Sequence, residues 1–229
     1  MEGRLLNALA VIWAPVRSLA RIAEERRVLL GFGVVALYAA LQLVTGAVDV
    51  LGGVTTGAFD PEAFPGVPPD LVEDVSRSTG AATLLGAVLS PFIGWAVVSL
   101  LMQLVTRFFG GAGPLSGMFA VVGVAAIPLV IMAVVRIPAT GIQAAAGLES
   151  TATAIVDLLL ILLMVAAYAW NIALVVIGAA FARRVGYGQS AGSCAISCAG
   201  GAALVALTAL VIGALIFAVF GAASSSATL

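Results

Sequence analysis

The chain has 229 residues, of which 62% are hydrophobic and 9% charged, against about a quarter charged in an ordinary soluble domain. That leaves too few polar side chains to cover a water-facing surface, so lipid must solvate most of the chain. Ten Arg, no Lys, no His and a net charge of −1 exclude bulk attraction to nucleic acid, and they remove the commonest metal ligand and near-neutral base.

The N-terminal segment, residues 1–27, is expected to be a cytoplasmic amphipathic helix. On a helical wheel Leu5, Leu9, Ile12, Trp13, Val16 and Leu19 share one face, with Arg4, Asn7, Arg17, Ser18 and Arg21 opposite. Val11 and Ile22 break the pattern, and Pro15 is a candidate kink. Such a helix either lies in the interface with its arginines toward anionic headgroups or docks on the bundle. Leu9, Ile12, Trp13, Arg17 and Arg21 are its candidate membrane or partner surface. No small-x-small cleavage site leads into a polar segment, so no cleaved signal is expected.

Five apolar stretches reach spanning length within residues 28–221: Val28 to Val50, Ala81 to Thr106, Leu115 to Val135, Ile155 to Phe181, and Ile196 to Gly221. Backbone facing lipid must satisfy its own hydrogen bonds, so each is read as a helix. The expected fold is all-α: a polytopic bundle of five transmembrane helices with an N-terminal interfacial helix. The intervening loop 51–80 is acidic and proline-rich, and Pro69 is placed to open a short external helix. With the N-terminus inside, Arg4, Arg17, Arg21, Arg26, Arg27, Arg107, Arg183 and Arg184 are cytoplasmic, and only Arg77 and Arg136 are external. The positive-inside rule therefore places the tail 222–229 outside the cell membrane.

Polar residues within the spans recur at helical spacing. Tyr38, Gln42, Thr45 and Asp49 form one stripe; Trp95, Ser99, Gln103 and Thr106 a second; Asp157, Met164, Tyr168 and Asn171 a third. Tyr38, Gln42, Asp49, Gln103, Asp157, Tyr168 and Asn171 are thus the candidate polar interior. Two readings stand: a wet cavity for a small solute, or interhelical hydrogen bonds in a dry bundle. Cys194 and Cys198 fall on a small-residue packing face of the fifth span.

Two turns look alike. Arg107 is followed by Gly110 and Gly111, and Arg183 by Gly186 and Tyr187; in each a Gly stands three residues after the Arg. The pattern predicts helix ends closed by left-handed glycines, with Ser116 and Ser190 capping the next helices. There is no paired catalytic Asp motif, zinc signature or Gly-flanked nucleophilic Ser. No enzyme activity, catalytic residue, cofactor or metal site is expected.

Three segments carry a family resemblance. They are Ala14-Pro15-Val16-Arg17-Ser18-Leu19-Ala20-Arg21-Ile22, then Phe109-Gly110-Gly111-Ala112-Gly113-Pro114 with Ala126-Ile127-Pro128, and Trp170-Asn171 with Gly186-Tyr187 and Ser190. The layout resembles the Yip (Ypt-interacting protein) domain family in its prokaryotic form. That resemblance implies five spans behind a cytoplasmic N-terminal segment, with no assigned chemistry. Eukaryotic members bind prenylated Rab-type GTPases, but their long N-terminal domain has no counterpart here, so GTPase binding is not carried over. The expected role is a non-enzymatic membrane scaffold contacting the bilayer and other membrane proteins or a second copy. The alternative is a small-solute channel or permease.

Overall fold

The computed structural model describes residues 10–51, 69–146 and 151–226, all of it helix and short turns. Leu9 and most of the acidic loop, residues 52–68, lie outside the described residues. A helical turn over residues 10–13 bends at Ala14 into α1, Pro15–Glu25. Then follow α2 (Val28–Leu51), α3 (Pro69–Phe108), α4 (Leu115–Ala125), α5 (Ile127–Ala146), α6 (Thr151–Arg183) and α7 (Tyr187–Ser226).

Four stretches are long and apolar enough to cross a membrane: Val28–Leu51, Arg77–Phe108, Leu115–Ile142 and Thr153–Arg183. The fifth expected span falls on α7, whose side chains beyond residue 210 lie outside the described residues. Pro69 does open a helix, but not a short separate one: α3 runs 40 residues from Pro69 straight into the second span.

The α4–α5 span is the core. In its most apolar stretch 61% of residues are buried, against 6% on α3 and 11% on α6. From Gly117 to Ala125 every α4 residue but Phe119 is buried, as expected of a helix apolar on all sides. Around α4 pack α1, α2, α3 and α6, while α7 packs on α3 and α6. The outer faces of α2, α3 and α6 carry Leu37, Leu85, Leu89, Leu100, Leu158 and Leu162, each at least half exposed. Apolar surface on that scale is stable only in a bilayer.

Pro128 explains why the third span is two helices. It has no N–H to give Val124, so the chain tightens: the Leu129 and Val130 amides both donate to the Ala126 carbonyl, at 2.9 and 3.1 Å. The helix breaks at Ala126, and the Ala125 carbonyl loses its usual partner.

Candidate functional site

At one end of the bundle the chain turns three times, after α1, after α3 and after α6, and each turn closes in the same way. Gly110 (φ 81°) follows α3; its amide donates to the Arg107 carbonyl at 3.0 Å and that of Gly111 to Thr106 at 2.9 Å. This is the paired Schellman closure of a helix end. After α6 the left-handed residue is Arg184 (φ 57°), with the Val185 amide on the Ala180 carbonyl at 3.1 Å. After α1 it is Arg26 (φ 50°). The second turn thus departs from the glycine expectation, because its left-handed position comes two residues before Gly186.

Gly186 instead caps α7, its amide accepted by Gln189 Oε1 at 3.1 Å. Since α7 begins at Tyr187 and α4 at Leu115 behind Pro114, Ser190 and Ser116 already lie inside their helices and do not cap them. The Ser190 hydroxyl, fully buried, donates to the Val176 carbonyl of α6 at 2.7 Å.

The last two turns interlock through Arg183, which is 2% exposed. Its Nε donates to Thr106 Oγ1 at 2.9 Å, and its two terminal nitrogens donate to the carbonyls of Gly111 and Gly113. The Arg183 carbonyl in turn accepts from the Ala112 amide at 3.1 Å. Thr106 completes the set by donating to Met102 at 2.6 Å. The planar guanidinium suits this work because its donors diverge in one plane toward fixed acceptors. Glycine is required opposite it: a Cβ on Gly113 would sit 1.6 Å from the Ala182 carbonyl oxygen. Arg107, which the sequence pairs with Arg183, is exposed.

Helix α1 seals this end. Val11, Leu19, Ile22 and Ala23 are buried, and α1 packs on α4 and α6. Trp13 (87% exposed) and Val16 point outward, as do Arg17 and Arg21; Ile12 is partly buried against the core. Val11, Leu19 and Ile22 lie within about 80° of one another on a single wheel, so the buried stripe is one face, rotated from the one the larger apolar residues suggest. Exposed Phe108 and Tyr187 lie on the other two turns, and the Tyr187 ring meets Phe181 edge-on at 6.2 Å.

Deeper in the bundle, part of the expected polar interior assembles. Tyr38, Tyr168 and Asn171 line a cavity of about 300 Å³ together with Val35, Pro91, Trp95, Val98, Leu129 and Val175. A neighbouring cavity of about 80 Å³ shares both tyrosines and adds Gln42 and Arg136. Gln42 donates to the Tyr38 hydroxyl at 3.2 Å, and Asp49 pairs with Arg136 at 3.8 Å. Gln103 lies apart, donating to the Gly113 carbonyl at 3.4 Å beside Arg183. Asp157 is exposed and lines neither cavity.

Two of the cavity's polar groups are committed to backbone. Asn171 donates to the Ala125 carbonyl at 2.7 Å, the group left over by the break at Ala126, and the Trp95 indole donates to Phe119 at 2.9 Å. Asn171→Ala is therefore expected to destabilise the bundle by about 1 kcal/mol, and Asn171→Gln to recover part of it. Equilibrium unfolding of the detergent-purified protein checks this; an unchanged midpoint for Asn171→Ala would show that the carbonyl finds another donor. Two features escaped the sequence, the buried role of Arg183 and the Asn171–Ala125 repair. For the latter, Pro128 was the signal: a proline inside a span frees a carbonyl that some polar side chain must reach.

No curated protein and no solved structure matches this chain. The Yip1 domain matches residues 9–216, nearly the whole length and all three turns. The chain belongs to the Yip1 domain family of membrane proteins.

Proposed function

We propose that this protein is a non-enzymatic membrane scaffold that presents a rigid recognition face at the end of the bundle where its three turns meet. The supporting observation is the Arg183 interlock, which joins two turns through donors from one buried side chain. Exposed loops between membrane helices are ordinarily the mobile part of a protein. Here the turns are held together, with Trp13, Phe108 and Tyr187 exposed around them and Arg17, Arg21, Arg107 and Arg184 interspersed. Aromatics with arginines are the composition of recognition surfaces.

In this reading five helices cross the plasma membrane, the N-terminus and the turns are cytoplasmic, and the C-terminus is external. The distribution of arginines supports that orientation. A photoreactive residue at position 13 is expected to give a discrete protein adduct in cells, while one at Leu37, on the lipid-facing side of α2, gives lipid adducts only. Arg183→Met should abolish the first adduct and leave the second. The same adducts from both positions, or none from position 13, would overturn the reading.

The alternative, a small-solute permease, draws on the 300 Å³ cavity. Its walls are mainly apolar, and Asn171 and Trp95 are bound to backbone, which favours a dry helix junction.

A further inference from the structure

The described part of α1 carries two arginines one turn apart, Arg17 and Arg21. The chain then reverses through left-handed Arg26 and brings Arg27 back beside them. These three side chains, with Ala10, Ser18, Ile22 and Leu30, line a cleft of about 160 Å³. Arg27 and Leu30 also line an adjoining groove of about 500 Å³, whose other walls are Arg26, Val28 and Leu29. A cleft edged by three guanidinium groups thus adjoins a larger groove walled by Val28, Leu29 and Leu30, with Arg26 and Arg27 at its rim, at the first turn of a membrane span.

The energetics point the same way. Like charges four residues apart on a helix repel, and Arg17 and Arg21 make no ion pair among the described residues. Arg27 is bridged to Glu25, which orients it. Arg26 takes the left-handed conformation that glycine adopts freely and an L-residue does not. The docking of Leu19, Ile22 and Ala23 fixes the backbone from which Arg17 and Arg21 project toward the cleft. The complementary group is an anion that accepts several N–H donors at once and carries an apolar body toward Leu29.

We propose that this cleft binds the phosphate of an anionic phospholipid headgroup, with Arg17, Arg21 and Arg27 as donors, Ser18 beside them, and the lipid's apolar part along Val28 and Leu29. The proposal rests on the placement of α1 at headgroup level in the scaffold reading, but not on partner recruitment. Free phosphate would satisfy the cleft but not the groove, which is the reason to assign a lipid.

The full-length protein, purified in a neutral detergent, can be titrated with phosphatidylglycerol or phosphatidylcholine and read by native mass spectrometry. One phosphatidylglycerol should be retained per chain, with phosphatidylcholine held at least roughly tenfold more weakly. Arg17→Gln with Arg21→Gln should weaken phosphatidylglycerol at least roughly tenfold, while Arg184→Gln leaves it unchanged. Leu29→Asn, at a side chain 86% exposed in the first turn of the span, should weaken the lipid too, with the unfolding midpoint measured alongside to separate loss of lipid from loss of fold. Undiminished retention by the double arginine variant, or by Leu29→Asn, would overturn the proposal. So would displacement of the lipid by low-millimolar inorganic phosphate, which would make the ligand a soluble anion. Loss of the position-13 adduct with lipid retention intact would instead count against the scaffold reading alone.

Discussion

Arg183→Met is expected to lower the unfolding free energy by about 3–5 kcal/mol, the range for removing one member of a buried charged hydrogen-bonded set. Methionine fills much of the volume but donates nothing. Gly111 and Gly113 would then hold carbonyls without their guanidinium partner, and Thr106 Oγ1 would lose its donor and keep only the Met102 and Gln103 carbonyls as acceptors. The damage should concentrate at the turns, because the same residue also ties the two helix ends through its backbone. Arg183→Lys should recover less than about half of the loss, since a single ammonium cannot reproduce a planar fork aimed at three acceptors. Arg107→Met, at an exposed position, should stay within about 0.5 kcal/mol of the parent. Equilibrium unfolding in mixed micelles measures all three. A loss at Arg183 no larger than at Arg107 would show that the turns hold without the guanidinium.

That contrast marks what could be read from the residues and what could not. Four of the expected spans were legible because hydrocarbon imposes a length and forbids unpaired backbone, two constraints that act on any apolar stretch regardless of its neighbours. Arg107 and Arg183 were indistinguishable by the same logic. Each ends a span, and each precedes a Gly by three residues. Only the docking of the end of α6 against the turn after α3 decides that one faces out and the other enters the joint. The left-handed position after α6 was likewise out of reach, because Arg there violates the local preference that makes Gly readable. The buried face of α1 was not legible from Leu5, Leu9, Ile12, Trp13 and Val16, because Val11 and Ile22, which break that wheel, lie about three turns apart and mark the face that docks. Of the polar stripes, Tyr38, Gln42, Tyr168 and Asn171 were legible as neighbours, since one-face spacing on adjacent helices tends to bring such groups together. Gln103 was not, because depth along a helix follows from how the helices are offset, and that offset is set by tertiary contact.

Gly123→Ala should be the most damaging single methyl within the membrane. Its Cβ would lie 2.6 Å from the Cα of Gly31 and 2.7 Å from that residue's carbonyl carbon and oxygen. The obstacle is backbone on a packed helix, so no rotamer change relieves it. The axes of α2 and α4 must separate, and the separation spreads along the interface that also buries Val35 and Val124. Overpacking of this kind costs about 1–3 kcal/mol, and the upper part of that range is expected here because the close approach of small residues is itself the source of helix association in lipid. Gly31→Ala meets the Ala120 carbonyl oxygen at 2.9 Å and should cost less. The double variant should cost less than the sum, because helices already pushed apart by one methyl leave room for the second. Gly86→Ala, on α3 with nothing within 4 Å, separates this steric cost from any general effect of losing a glycine and should be neutral or slightly stabilising. Unfolding midpoints of the four variants in one detergent settle the comparison. Equal values for Gly123→Ala and Gly86→Ala would mean that α2 and α4 do not meet backbone to backbone. A loss confined to Gly123→Ala and Gly31→Ala, and less than additive between them, would locate the stability of the bundle at that crossing.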